Sequence, residues 1–88
     1  MSNDETLLEF PCEFPVKIMA RAHDTLENDV LEIVKCHAPD CDSHTLKRRK
    51  SANGNYIGLT ITITATSKEQ LDNLYRSLHA YEHCVMLL

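Results

Sequence analysis

The chain has 88 residues, 43% hydrophobic and 25% charged, an ordinary globular composition for one domain and too short for two cores. A chain of this length buries roughly 60–65% of its unfolded surface, which predicts modest stability and disfavours a deep enzyme cleft. The formal net charge of −4 conceals a segregation, with ten acids and three bases in residues 1–42 but four bases and no acid in residues 43–66; an acidic chain with one basic patch does not read as a general nucleic-acid binder.

No apolar run approaches the roughly 18 residues that a membrane-spanning helix requires. The opening Met1–Thr6 is acidic and lacks the basic and apolar regions of a secretory signal, so the expected location is cytoplasmic. In that setting Cys12, Cys36, Cys41 and Cys84 are expected to be reduced thiols rather than disulfides.

In chain order, residues 1–6 are polar and expected to fray. Leu7-Leu8-Glu9-Phe10-Pro11 is more apolar than a free tail requires and reads as an arm laid across the domain. Residues 1–13 are therefore assigned to a partly disordered N-terminal arm and 14–88 to a single domain. Pro11 and Pro15 bracket an extended piece, after which Val16 to Ala22 alternates as a first strand, with Lys17, Met19 and Arg21 on its polar face.

Asp24-Thr25-Leu26-Glu27 has the form of a capping box, with Asp24 as N-cap. Leu26, Val30, Ile33, Val34 and His37 follow at helical spacing, and Ala38-Pro39 should end the helix. Asp40 to Ser43 reads as loop and Thr45 to Ser51 as a second strand carrying Lys47-Arg48-Arg49-Lys50. Ala52-Asn53-Gly54-Asn55 is a hairpin turn by its Asn-Gly pair.

The strongest pattern is Tyr56 to Ala65, in which Ile57, Leu59, Ile61 and Ile63 alternate with Gly58, Thr60, Thr62 and Thr64. Period two with β-branched residues predicts a strand with one buried face. Ser67-Lys68-Glu69-Gln70 is a second capping box, opening a helix with Leu71, Leu74, Tyr75 and Leu78 on one stripe. Cys84 to Leu88 closes the chain as a short apolar strand. The order β-α-β-β-α-β, with one apolar side per strand, predicts an α+β ferredoxin-like sandwich. Its four-stranded antiparallel sheet carries both helices on one face, the first and third strands lying centrally. The basic second strand, at an edge, discourages edge-to-edge pairing.

The chain resembles the YbeD-like family of small uncharacterised bacterial proteins. The resemblance runs from about Leu7 to Leu88 and rests on Leu7-Leu8-Glu9-Phe10-Pro11, His37-Ala38-Pro39 and Gly54-Asn55-Tyr56 before the Ile/Thr strand; Gln70, Leu74-Tyr75 and the apolar C-terminus continue it. The family implies a ferredoxin-like fold related in shape to regulatory ACT domains, with no established activity. ACT-type domains bind amino acids near a glycine-containing turn after the first strand; here that turn, Ala22-His23-Asp24-Thr25, has no glycine, which counts against such a site.

Cys36, His37, Cys41 and His44 have the composition of a zinc site, but adjacent helical residues point about 100° apart and the spacing is not that of a zinc knuckle. No metal and no cofactor are expected. His37 is expected to serve carbonyls at its helix end, and His83-Cys84 cannot form a dyad on a strand whose neighbours face opposite ways. No acid–base set is assembled, so no enzyme is expected. The open face of the sheet is the candidate site, with Lys17, Met19 and Arg21 beside Thr60, Thr62 and Thr64 and with Lys47 and Arg49 on the adjoining edge. It lacks the central aromatics on which RNA-binding sheets stack bases, so nucleic acid is disfavoured and any RNA binding should be weak. The expected role is a non-catalytic regulatory or interaction module. It would act through this face or the uncharged C-terminal edge Val85–Leu88, by self-association or with an unknown protein partner. The alternative is a small anionic metabolite held by Lys17, Arg21, Lys47 and Arg49.

Overall fold

In β3 (Tyr56–Ala65) every second side chain is buried: Ile57, Leu59, Ile61, Ile63 and Ala65 face inward, while Gly58, Thr60, Thr62 and Thr64 face out. The computed structural model, which describes residues 9–51 and 53–87, sets this strand between two neighbours. The elements are β1 (Cys12–Arg21), α1 (Leu26–His37), a 3-10 turn (Ser43–Thr45), β2 (Lys47–Lys50), β3, α2 (Lys68–Ala80) and β4 (Cys84–Leu87). Strand order is β2-β3-β1-β4, antiparallel throughout, so the first and third strands are central and the second and fourth are edges, as the pattern requires. The apolar stripes of both helices cover the Ile face. Leu26, Val30 and Val34 of α1 meet Leu71, Leu74 and Leu78 of α2 over Val16, Ile18, Ala20 and the β3 isoleucines. Each fully buried aliphatic side chain contributes about 1.5–3 kcal/mol. At the rim, Phe14 and Tyr75 pack edge to face with ring centroids 6.4 Å apart.

β1 starts at Cys12, earlier than the expected Val16, and Pro15 lies inside it. Register explains why the proline is tolerated. Pro15 is opposite Thr62, whose own N–H donates to the Thr45 hydroxyl on the β2 side at 3.2 Å. The Pro15–Thr62 pair therefore exchanges no ladder hydrogen bond, and the proline nitrogen faces away from β3. On that side β4 pairs only with Ile18 to Ala20, so no donor is missed. Cys12 and Glu13, assigned to the arm from sequence, belong to this strand; the arm residues 1–8 lie outside the described residues.

The two expected capping boxes part company. At α2 the Ser67 hydroxyl accepts from the Gln70 N–H at 3.0 Å. The Gln70 side chain accepts from the Thr66 N–H at 2.7 Å and donates to the His37 carbonyl at 2.8 Å, tying the start of α2 to the end of α1. At α1 the box does not form. Thr25, not Asp24, is the N-cap, and no side chain bonds the cap. The Thr25 hydroxyl donates to Asp29 at 2.9 Å, and Glu27 instead receives Arg48 of β2 at 2.7 Å. That ion pair is half exposed at both ends and contributes about 0–1 kcal/mol. α1 ends at His37 as Ala38-Pro39 dictates.

β2 is shorter than the expected Thr45–Ser51 because Ser43–Thr45 turns over an Asp42 cap, whose carboxylate accepts from the His44 N–H at 2.9 Å. The hairpin turn is confirmed by Gly54 at φ +77°, a conformation that glycine adopts without penalty. Ser51 N–H donates to the Tyr56 carbonyl across it at 2.9 Å; Ala52 lies outside the described residues.

Candidate binding surface

The sheet face away from the helices is laid out in rows by the ladder. Lys17, Thr60 and Lys47 form one row, and Met19, Gly58 and Arg49 the next, extended by Met86 of β4 opposite Met19. Arg21 and Tyr56 make the third. The four consecutive cations of β2 are thereby split. Lys47 and Arg49 join the open face, whereas Arg48 and Lys50 stand opposite the buried Leu59 and Ile57 and lean toward the helices. Thr62 and Thr64 continue the face beside Pro15 and Glu13, which places its one β1 carboxylate two rows from Lys17.

The structure thus brings Lys17, Met19, Arg21, Lys47, Arg49 and Thr60 around one centre and leaves Thr62 and Thr64 off to the side. The centre is Gly58. With no side chain there, the face sinks into a shallow depression of about 660 Å³, bordered by Lys17, Met19, Lys47, Arg49 and Tyr56. Among the described residues Lys17, Arg21, Lys47 and Arg49 pair with no carboxylate; the Lys and Arg ion pairs are Arg48–Glu27 and Lys68–Asp72. Among the described residues Tyr56 and Met86 are two of the three large hydrophobic side chains most exposed to solvent, and both lie on this face. Sequence reading listed the cations but missed Gly58 as the organising position. A glycine interrupting a β-branched strand was the available signal.

The C-terminal edge is less inviting than its uncharged sequence suggests. β4 is four residues long, and its register slips between Met19 and Ala20, leaving Val85 as a bulge. A short, bulged edge is a poor template for an added strand.

The cysteine and histidine candidates are dispersed. Among the described residues no three His, Cys, Asp or Glu side chains converge as a metal site would require. His37 does not serve its helix end; its Nε2 meets the Ser77 hydroxyl of α2 at 2.9 Å, and Gln70 takes the His37 carbonyl instead. His44 pairs with Asp42 at 2.9 Å, and hydrogen bonds from the His44 backbone and ring hold the Asp42 carboxyl below its usual range. Cys36 is exposed, while burial pushes the thiols of Cys41 and Cys84 up, away from the reactive thiolate. All four cysteines are free.

One cluster was not anticipated. After β1, the His23 ring stacks on His83 at 4.3 Å, and Tyr81 meets His83 edge-on at 5.4 Å. The Tyr81 hydroxyl donates to Asp29 at 2.7 Å. That bond and the Thr25 hydroxyl hold Asp29 below the usual carboxylate range, while burial and Asp29 raise the Tyr81 phenol. His83 is thus engaged with aromatic rings, and Cys84 stands opposite the buried Ala20.

Fold and surface together define a ferredoxin-like α+β domain whose sheet presents a cationic face that no other described element covers. A family model described as "Protein of unknown function (DUF493)" matches residues 5–88, and the chain belongs to that family, in keeping with its YbeD-like resemblance. It is 51% identical over 85 residues to the UPF0250 protein NE1487 of Nitrosomonas europaea, covering 97% of this chain and 98% of that one. It is 46% identical to a UPF0250 protein of Neisseria gonorrhoeae, covering 91% and 88%, and 44% identical to one of Chromobacterium violaceum, covering 96% and 94%. The solution structure of HP0495 from H. pylori superposes with a TM-score of 0.75 at 12% identity, over 92% of this chain and 85% of that one, which shows the shared fold. No helix among the described residues is long and apolar enough to cross a membrane.

Proposed function

We propose that the protein is a non-catalytic interaction module that takes an acidic protein partner on its open sheet face. The observation that carries this reading is the set Lys17, Arg21, Lys47 and Arg49, gathered around Gly58 with no carboxylate paired to any of them among the described residues. Like charges on one face repel, and a complementary acidic surface relieves this while speeding encounter. A two-fold contact between identical copies would set these cations against their equivalents, so the face favours a different partner over self-association. The methionines and the long cationic stems supply apolar contact beneath the charges. Dispersal of the His and Cys side chains goes with a role in binding rather than chemistry, and free thiols go with a reducing, cytoplasmic setting.

Affinity capture from the native host, with wild type and a Lys17→Glu/Arg49→Glu variant as baits, tests the proposal. Wild type should retain an acidic protein that is released between about 0.1 and 1 M salt, as the Debye length falls from about 10 to 3 Å. The reversed face should retain none of it. Equal capture by both baits, or capture unaffected by salt, contradicts the reading. A melting temperature raised by a small anionic metabolite in place of a protein would transfer the face to that ligand.

A further inference from the structure

We infer that the depression at Gly58 is a seat for one aromatic side chain, presented by the acidic partner between flanking carboxylates; the inference rests on the acidic-partner reading above. Gly58 is the starting point. It sits mid-strand in β3, where glycine is costly in conformational entropy, and the described residues give no steric reason for it. A Cβ built there meets only the Arg49 carbonyl oxygen, at an ordinary 3.8 Å, and Gly54 is the glycine that needs a positive φ. A strand glycine with room above it marks a place where something else approaches the backbone.

The surroundings specify what approaches. An aromatic ring on a neighbouring strand is one way that a bare sheet glycine is covered. Here the cross-strand neighbours are Met19 and Arg49, neither aromatic, so among the described residues the flat backbone patch stays uncovered. Every group around it suits a ring. The Met19 thioether makes sulfur–aromatic contacts, the Arg49 guanidinium offers cation–π contacts, and Tyr56, two residues along the same face, offers an aromatic edge. Lys17 and Lys47, flanking Thr60 in the next row, stand where carboxylates beside the ring would fall. The depression, about 660 Å³ in volume, is open on its solvent side, which suits an anchor held by a larger chain better than an engulfed free metabolite.

The test uses two short Asp/Glu peptides, one with a central phenylalanine and one with alanine in its place, titrated against the full chain and against Gly58→Val and Gly58→Ala. On wild type the phenylalanine peptide should bind at least about tenfold more tightly, the scale expected for burying one ring. The valine variant should erase that preference while keeping the weak, salt-sensitive affinity for the alanine peptide. Equal affinity of both peptides for wild type overturns the aromatic seat but leaves the acidic-partner reading standing. If neither peptide binds at low salt, both fall. The wild-type peptide ratio decides the question even if a variant fails to fold. Binding of free N-acetylphenylalanine as tight as the peptide's, or a dimer of the chain alone that Gly58→Val abolishes, would assign the seat to another occupant and refute the inference.

Discussion

Replacing Gly58 by alanine should stabilise this protein, which is the reverse of what most substitutions in a central strand do. The added methyl group projects onto the open face, where its nearest neighbour is the Arg49 carbonyl oxygen at 3.8 Å. It closes no contact and removes none, so the folded state is nearly unchanged. The unfolded chain loses backbone freedom, and a Gly→Ala change at a compatible position yields about 0.4–1 kcal/mol. In a domain of this size each kcal/mol moves the melting temperature by about 4–8 °C, which predicts a rise of about 2–8 °C. Gly54→Ala is the internal control. Its φ of +77° is disfavoured for alanine by about 1–2 kcal/mol, so the same chemical change should lower the melting temperature. Calorimetry or circular-dichroism melts of the two variants give the answer directly. A Gly58→Ala protein no more stable than wild type would show that folding itself demands this glycine, and the argument for a seat above it would collapse.

Other substitutions probe how the face is supported. Leu74 is wholly buried between helix and sheet, so Leu74→Ala should cost about 2–5 kcal/mol in urea denaturation, enough to unfold much of a small domain. Gln70→Ala removes the side chain that bonds both the Thr66 N–H and the His37 carbonyl and should cost about 1–2 kcal/mol. Gln70→Glu keeps the acceptor but not the donor and should fall between the two. Because Asp29 is held below its ordinary value in the folded state, its contribution is complete above about pH 4 and is lost as pH falls through the lowered value. Tyr81→Phe deletes the largest cause of that shift, so the loss of stability as pH falls below about 4 should be shallower in the variant than in wild type when melting temperature is followed against pH.

What could be read from the residues was what local chemistry decides. The alternation in β3 can bury only one face, and the Ser67 cap closes on the Gln70 N–H within a single turn. Asp24 misled because its neighbour Thr25 takes the cap position and bonds Asp29, while Glu27 is drawn to Arg48 across 21 residues of chain. Pro15 suggested a strand boundary, yet its nitrogen faces the β4 side of β1 at a position beyond the reach of that short strand. Thr45 resembled a strand residue until its hydroxyl, accepting from Thr62, replaced a ladder bond. The candidate site divides in the same way. That Lys17, Arg21, Lys47 and Arg49 share a face follows from strand periodicity. That they surround Gly58 depends on the register of three strands, which no single stretch encodes. The His23–His83 stack joins loops at opposite ends of the sequence, and nothing in either segment announces the other.

The central claim is that the open face of the sheet is where this protein meets an acidic partner. Amide chemical-shift mapping of the labelled chain, titrated with the acidic phenylalanine peptide, tests it most directly. The account predicts that the largest shifts fall on Lys17, Met19, Arg21, Arg49, Tyr56, Gly58 and Thr60 and vanish at high salt. Shifts centred instead on α1 and α2, or on the outer edge of β4, would contradict it.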